Sequence, residues 1–190
     1  MSGSLEQRLE AIVRSGPTLM QVLETARGLD LPDWLIFSGA VYQRVLNHLT
    51  GRDLDYGIKD YDLGYYDASD ISYEAEDLVI RRVTGAFAPP LDDLVEVRNQ
   101  ARVHLWFEGR FGEPYTPLAN SSEALGRFVS PLFAVAVRLE GDGRLTIQAP
   151  FGLADLFALR LRPNPTRPTN GFARTAASVT ARWPELSVIN

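Results

Sequence analysis

The chain has 190 residues, of which 45% are hydrophobic and 23% are charged, and its net charge is −5; these values are typical of an ordinary globular protein of one domain. It contains no cysteine and only two histidines, which excludes disulfides, cysteine nucleophiles and zinc sites built from thiolates or several histidines. A bound metal would take oxygen ligands, as Mg²⁺ and Mn²⁺ do.

The N-terminal part of the chain is predicted to be helical before a first short strand. Helical spacing of apolar residues covers Ser4 to Val13, with Ser4 as the N-cap, and a second helix begins at Pro17 and ends near Arg27. The apolar run Trp34 to Phe37 is too short for a helix and indicates a buried strand. A turn at Ser38-Gly39 leads into a helix over Ala40 to Leu49.

Two further strands are predicted in the middle of the chain, each with acidic residues on one side. Asp60, Asp62 and Gly64 alternate with apolar or aromatic residues, which indicates a strand with a charged face at its start. The run Leu94 to Arg98 also alternates, and its valines face away from Glu96. Helices are predicted over residues 70–82 and 100–111.

The C-terminal part is predicted to contain a hairpin and a helix. Ser121 caps a short helix that ends at Phe128. Strands over 131–139 and 144–148 are joined by Gly141-Asp142-Gly143, which is a strong hairpin signal. A helix over 152–161 follows, and prolines in 163–170 favour an extended tail over 163–190.

This order of elements predicts a single mixed α/β (α+β) domain over residues 1–190. We expect a short mixed sheet flanked by helices, with a helical segment at 1–30 and a C-terminal hairpin and helix.

Charge and hydropathy limit the expected partners. A protein that binds duplex nucleic acid usually carries a basic face, and only the C-terminal third is locally basic, through Arg160, Arg162, Arg167 and Arg174. No apolar run reaches the roughly 18 residues of a membrane span, and Met1 to Glu10 does not have the pattern of a secretory signal. We therefore expect a cytoplasmic protein that binds no membrane and shows no strong preference for nucleic acid.

Asp60 and Asp62 carry the strongest chemical signal in the sequence. Because they lie two positions apart on a strand, they point to the same face, where their mutual repulsion favours a bound cation. Glu96 can complete a cluster of three carboxylates if its strand lies beside theirs, and such a cluster can hold two metals for nucleotidyl displacement. The alternative is a solvated strand face, since Asp-x-Asp occurs often by chance.

The turn at Ser38-Gly39-Ala40 is open to two interpretations. Its N–H groups and the helix that follows can hold phosphates. Equally, the turn can be structural, with glycine present because the backbone requires a positive φ.

Several residues near the strands also have two possible roles. Lys59 can bind a phosphate or offset the two aspartates, and Arg98 or Arg102 can bind triphosphate or lie on an ordinary surface. Asn99 and Gln100 can orient a substrate, or Asn99 can cap a helix. His104 is expected to be a satisfied, partly buried histidine, and Asp155 to be structural. The tryptophans, Trp34, Trp106 and Trp183, are expected in the core.

Three segments together resemble a known family. Phe37-Ser38-Gly39-Ala40-Val41, the helix that ends in Leu49-Thr50-Gly51, and Asp60-Tyr61-Asp62-Leu63 resemble the signature of polymerase-beta-like nucleotidyltransferases. Residues 30–186 are similar to a bacterial branch known simply as nucleotidyltransferase family proteins. The residues that carry this wider similarity are Val95 to Trp106, Ala149 to Leu153 with Asp155, Arg162-Pro163-Asn164, and Trp183-Pro184.

The resemblance implies transfer of a nucleoside monophosphate from an NTP to an unidentified hydroxyl acceptor, with release of pyrophosphate. It implies that Asp60, Asp62 and Glu96 ligate Mg²⁺ or Mn²⁺ and carry catalysis. By the same resemblance the turn at Ser38 and Gly39 would bind the nucleotide, and we expect Lys59 and Arg98 to contribute to its binding. The alternatives are a non-catalytic nucleotide-binding or regulatory module of the same fold, or an interaction domain. The acceptor, the NTP and the oligomeric state stay open.

Overall fold

The computed structural model describes residues 3–166 and 171–189. Arg167 and the last residues of the proline-containing segment 163–170 lie outside this range. The α-helices are α1 (Leu5–Arg14), α2 (Pro17–Gly28), α3 (Gly39–Leu49), α4 (Tyr73–Thr84), α5 (Leu91–Leu94), α6 (Phe107–Phe111), α7 (Ala154–Phe157) and α8 (Phe172–Arg182). The strands are β1 (Leu35–Phe37), β2 (Tyr61–Tyr65), β3 (Val95–Asn99), β4 (Ala136–Leu139), β5 (Leu145–Gln148), β6 (Arg160–Leu161) and β7 (Ser187–Val188).

The first two helices begin where the local sequence predicts. The Ser4 hydroxyl accepts a hydrogen bond of 3.2 Å from the Gln7 N–H, and the Gln7 side chain accepts one of 2.8 Å from the Ser4 N–H. This capping box satisfies two amide donors that the helix itself leaves without partners. Pro17 stands in the first turn of α2, where a missing N–H costs nothing.

A mixed sheet of five strands, in the order β3-β2-β1-β4-β5, forms the centre of the fold. Strands β2 and β3 are parallel, whereas the other neighbouring pairs are antiparallel. The β4–β5 connection is the predicted hairpin, in which Gly143 has a φ of 83° that suits glycine. The prediction of a mixed α/β fold with a short sheet flanked by helices is confirmed.

The sheet has a different core on each face. Ile36, Leu63 and Val97 point towards the larger core, which also contains the buried stripes of α1, α2 and α3. On the other face, Leu35 and Phe37 belong to a smaller apolar cluster. Because side chains alternate along a strand, the polar residues of β2 and β3 are left on the face of the smaller cluster. That face is where a site can form.

Four predicted elements differ from the structure. Residues 100–111 are not one α-helix but a 3-10 helix (Gln100–Leu105) followed by α6. Residues 121–127 form a 3-10 helix capped by Asn120 rather than Ser121. Residues 131–133 form a 3-10 turn, so that β4 begins only at Ala136. In 152–161, α7 ends at Phe157 because Leu159 takes a φ of 53° and redirects the chain into β6.

The expected extended tail over 163–190 is wrong for residues 172–182, which form α8. The prolines before residue 170 dominate the composition of the tail, but 172–182 contains none and places Ala176 and Val179 on one buried stripe. After α8 the chain returns to the domain, where Trp183 is fully buried and β7 pairs with β6.

Among the described residues, every helix is too short or too polar to span a membrane.

Candidate functional site

The sheet register places the acidic residues side by side. In the parallel pair of β2 and β3, Asp62 lies opposite Glu96, and on its other side Asp62 lies opposite Phe37 of β1. Asp60 comes one residue before β2. Positions 60, 62 and 96 lie on the face of the sheet that carries the smaller apolar cluster. The topology therefore brings together two carboxylates from one segment and a third from a later strand.

The three carboxylates influence one another electrostatically. Although Asp62 still reaches solvent, the surrounding protein removes much of its hydration. This desolvation, followed by the charges of Asp60 and Glu96, raises the pKa of Asp62 to about 6, and Arg98 opposes the effect. Desolvation and then the charge of Glu96 raise the pKa of Asp60, against the influence of Lys59. Asp60 and Asp62 therefore each lie within electrostatic range of Glu96.

The donor atoms suit a hard divalent cation, although the side chains do not form a finished metal cage. All three are carboxylates, the ligand type that Mg²⁺ prefers, and a cation would relieve the repulsion that raises the pKa values of Asp60 and Asp62. Across residues 3–166 and 171–189, however, no group of three acidic or histidine side chains is already arranged to hold a metal ion. The site therefore fits a cation by chemistry and charge, with side-chain adjustment on binding.

The raised pKa values predict how stability depends on pH in the absence of a cation. The pKa of Asp62 is about 6 in the folded protein, against an ordinary value of 3.8 that applies in the unfolded chain. Between these two pH values the folded protein therefore holds a proton on Asp62 that the unfolded chain has lost. Stability should therefore fall as the pH rises from about 4 to about 6 through this group. Chemical denaturation of wild type and Asp62→Asn in EDTA should show this fall in wild type and a smaller one in the variant. Parallel pH profiles would contradict the prediction.

The backbone strain of the Ser38–Gly39 turn lies at serine, not at glycine. Ser38 has a φ of 43°, whereas Gly39 has no positive φ, so the structural explanation for Gly39 is wrong. The Ser38 N–H donates to the Val135 carbonyl at 2.8 Å, which holds the strained residue in place. Within the described part of the chain no side chain caps α3. The Val41 and Tyr42 N–H groups donate to the Ser38 carbonyl, which leaves the Gly39 and Ala40 amides for an anion.

The turn lies directly against the acidic residues. A Cβ added at Gly39 would stand 3.9 Å from Oδ1 of Asp60 and 3.3 Å from Nε2 of Gln43. These are tight but tolerable contacts, because the Gln43 amide is the end of a flexible side chain. Glycine therefore leaves a narrow open space between the start of α3 and Asp60.

Three residues that were not predicted from the sequence lie around this space: Tyr42, Gln43 and Arg182. Arg182 at the end of α8 places Nη1 3.5 Å from Oε1 of Gln43 and 3.4 Å from the Gly57 carbonyl. Burial raises the pKa of Tyr42, and the nearby charges of Arg182 and Asp60 act on it in opposite directions. Arg182 therefore adds a positive charge beside Tyr42 and Gln43, at the start of α3. Its position depends on the path of α8, which local sequence patterns do not reveal.

A cavity of about 430 Å³ opens on the same face of the sheet. Its floor contains Asp62, Gly64, Glu96 and Arg98. The wall is rich in aromatic rings: Phe37, Tyr42, Trp106, Phe107, Tyr115, Phe128 and Phe133. Trp34 and Trp183 are core residues as expected, but Trp106 is only half-buried and lines the cavity.

The remaining candidates divide between site and scaffold. Lys59 is exposed and close enough to lower the pKa of Asp60, and the Arg98 guanidinium is 3.9 Å from the Glu96 carboxylate. Asn99 caps the 3-10 helix by accepting from the Ala101 N–H.

Three other residues lie in the scaffold. Arg102 forms an ion pair with buried Glu76, and Asp155 forms ion pairs with Arg160 and Arg162. His104 differs from the expectation, because its buried Nδ1 has no hydrogen-bond partner among the described residues.

Comparison with known proteins gives a family and a fold. A family model described as nucleotidyltransferase matches residues 24–188. A structure solved by NMR and described as a CCA-adding enzyme head domain has a TM-score of 0.75 and 24% identity, covering 98% of this chain and 96% of that chain. A CCA-adding enzyme in complex with CTP has a TM-score of 0.53 and 13% identity, covering 100% of this chain and 44% of that chain. At these identities the likeness shows the fold alone. No curated protein matches the sequence.

Proposed function

The chain belongs to the nucleotidyltransferase family, whose model matches residues 24–188, and from this membership we propose that it transfers a nucleoside monophosphate from an NTP to a hydroxyl acceptor. The observation that supports this most is the pairing of Asp62 with Glu96 beside the uncapped start of α3. Carboxylates and free helix amides in one place suit a reaction that joins a triphosphate and a hydroxyl.

The start of α3 and its neighbours would bind the triphosphate. The first-turn amides offer N–H donors, and the favourable end of the helix dipole attracts negative charge. Lys59 adds positive charge beside Asp60, and Arg182 adds it beside Tyr42 and Gln43. A CCA-adding enzyme of similar fold is known in complex with CTP, which supports an NTP as the ligand of this protein.

The three carboxylates would bind the cation and manage the acceptor proton. Asp60, Asp62 and Glu96 would hold Mg²⁺ or Mn²⁺, which supplies charge neutralisation at the reacting phosphate when bound. The Glu96 side chain is 58% exposed, so an acceptor hydroxyl can approach it and pass its proton to it. The fixed register of Asp62 and Glu96 positions the two carboxylates without a mobile loop.

The direct test uses the full chain with each of the four NTPs, in Mg²⁺, in Mn²⁺ and in EDTA. Metal-dependent stabilisation by an NTP, together with pyrophosphate release when a metabolite extract is added, is the expected result. The alternative function is a non-catalytic nucleotide-binding module, which is consistent with the finding that no three side chains among the described residues are arranged to hold a metal ion. Nucleotide binding without pyrophosphate release under any condition would favour that alternative. Absence of NTP binding would contradict both.

Replacing Arg182 by alanine should weaken NTP binding by about ten- to a hundredfold, because a hydrogen bond to a charged group contributes roughly 1.5–3 kcal/mol. Binding of the matching NMP should change much less, since the arginine lies on the triphosphate side. Calorimetric titration of both nucleotides into wild type, Arg182→Ala and Arg182→Lys measures the difference, with partial recovery expected in Arg182→Lys. Arg81→Ala is a matched control, because the Arg81 side chain is 75% exposed on α4. Equal weakening of NTP and NMP would show that Arg182 is only structural.

A further inference from the structure

The cavity reaches the start of α3 at Ser38 and Tyr42, and most of its lining lies beyond Asp62, around β2, β3 and the aromatic wall. Asp62 and Glu96 belong to its lining, whereas Gly39, Asp60 and Arg182 lie outside it. Three of the residues proposed to bind the triphosphate or its cation, Gly39, Asp60 and Arg182, therefore lie beyond one edge of the cavity, and its open space extends away from them. That space adjoins the carboxylate to which an acceptor hydroxyl would deliver its proton.

The walls of this space are built to contact flat, apolar groups. The Phe107 ring centroid lies 4.6 Å from that of Tyr115 and 6.1 Å from that of Trp106. Phe111 extends the ring cluster to the surface, 4.7 Å from Phe107 and 54% exposed. Aromatic walls favour planar rings, which stack on their faces or edges.

The floor of the cavity is also shaped for a flat ligand. A Cβ at Gly64 would stand 2.3 Å from Cε2 of Phe37, so only glycine lets the phenylalanine ring lie across β2. The Phe37 ring therefore gives the lining an apolar surface beside the Asp62 carboxylate. Arg98 pairs with Gly64 in the strand register and can meet one anionic group of a ligand.

The size and charge of the cavity restrict the ligand further. A volume of about 430 Å³ is near the lower end of the roughly 300–1,000 Å³ range of small-molecule sites. An RNA end would bring several phosphates, which need a run of positive charges. Of the described lining residues only Arg98 and Arg127 are basic, and Arg127 already lies over the Tyr115 ring.

On the basis of the proposed function, we infer that this cavity holds the acceptor, and that the acceptor is a compact alcohol or phenol whose hydroxyl is joined to a planar, mostly apolar ring. In the transfer step the hydroxyl oxygen forms a bond to the α-phosphorus. The bond from that phosphorus to the bridging oxygen of the β-phosphate breaks, pyrophosphate leaves with the electron pair, and the hydroxyl proton passes to Glu96.

The test uses 2-naphthol as a planar probe and decahydro-2-naphthol as its ring-saturated counterpart, with an α,β-methylene NTP that cannot react. Calorimetric titration of each compound should show 2-naphthol binding about three- to tenfold more tightly than the saturated alcohol, from the extra contribution of aromatic contacts. Saturating NTP analogue should leave 2-naphthol affinity unchanged or improve it, because the two ligands occupy separate spaces.

Phe107→Leu keeps apolar volume but removes one ring from the wall. It should weaken 2-naphthol binding by about three- to tenfold and change NTP-analogue affinity by less than about twofold. Tyr73→Leu is the matched control, since Tyr73 is 61% exposed and outside the cavity lining.

Three results would overturn the inference while leaving the proposed function intact. Competition between the NTP analogue and 2-naphthol, or an equal loss of both affinities in Phe107→Leu, would assign the cavity to the nucleobase. Failure of 2-naphthol to bind would contradict the inference that the cavity prefers an acceptor with a planar ring. By contrast, failure of wild type to bind any NTP analogue would contradict the proposed function itself.

Discussion

Asp62→Asn is expected to reduce nucleotide transfer by about 10³-fold, the upper range for removing one electrostatic contact from an active site. Asp62 is the middle of the acidic site: it lies opposite Glu96 on one side and Phe37 on the other, and the charges of both Asp60 and Glu96 act on it. Asparagine keeps the shape of the side chain but removes the charge that would bind a cation. Steady-state pyrophosphate release measures the loss.

The fold of this variant should survive, because the neutral amide would relieve like-charge repulsion in the cation-free protein. Its melting temperature in EDTA is therefore expected to equal or exceed that of wild type. Asp142→Asn is a suitable control, since the Asp142 side chain is 66% exposed in the β4–β5 hairpin, and it should keep full activity. If Asp62→Asn unfolds without ligand, Asp62 is structural; if it stays active, the proposed role of the acidic site is wrong.

The parts of the site that depend on local patterns can be predicted from the sequence. Alternation of apolar and acidic residues indicates the strand that carries Asp62 and the strand that carries Glu96, and it gives the face on which each lies. The apolar run before Ser38 and the helix after it are equally local. The parallel register of Asp62 with Glu96 is not local, so the sequence allows this pairing without requiring it.

The rest of the site depends on long-range packing. Arg182 reaches Gln43 only because α8 returns to the domain after a segment whose prolines indicate a tail. Trp106 lines the cavity because the helix over 100–111 is interrupted at that residue. The positive φ of Ser38 is held by a hydrogen bond to Val135. Each of these features depends on a contact with a segment that is distant in the sequence, and local helix or strand propensities do not specify such contacts.

Gly16→Ala is expected to lower the free energy of unfolding by about 3 kcal/mol, at the upper end of the cost of overpacking a core. A Cβ at this position would stand 1.9 Å from Nη1 and 2.5 Å from Cζ of Arg44. Arg44 is fully buried and forms an ion pair with Asp55, so the guanidinium cannot move aside without losing its partner. The midpoint of urea unfolding measures the change.

Two further variants separate this clash from general effects of alanine. Gly28 is the last residue of α2, and a Cβ there would meet no described atom within 4 Å, so Gly28→Ala should be neutral or slightly stabilising. Adding Arg44→Met to Gly16→Ala should recover part of the lost stability, because the flexible, uncharged side chain can yield to the methyl group. Asp55 is 42% exposed and stays hydrated without its partner.

Arg44 also links this packing to the acidic site. Asp55 accepts hydrogen bonds from Arg44 and from the Thr18 hydroxyl, the latter at 3.0 Å, and these contacts fix the segment that leads to Asp60. The double variant should therefore regain stability but bind NTP more weakly than wild type, since Asp60 loses part of its support. An unchanged urea midpoint in Gly16→Ala would show that Arg44 is not held rigidly against α2. Full NTP affinity in the double variant would show that Asp60 is positioned without Arg44.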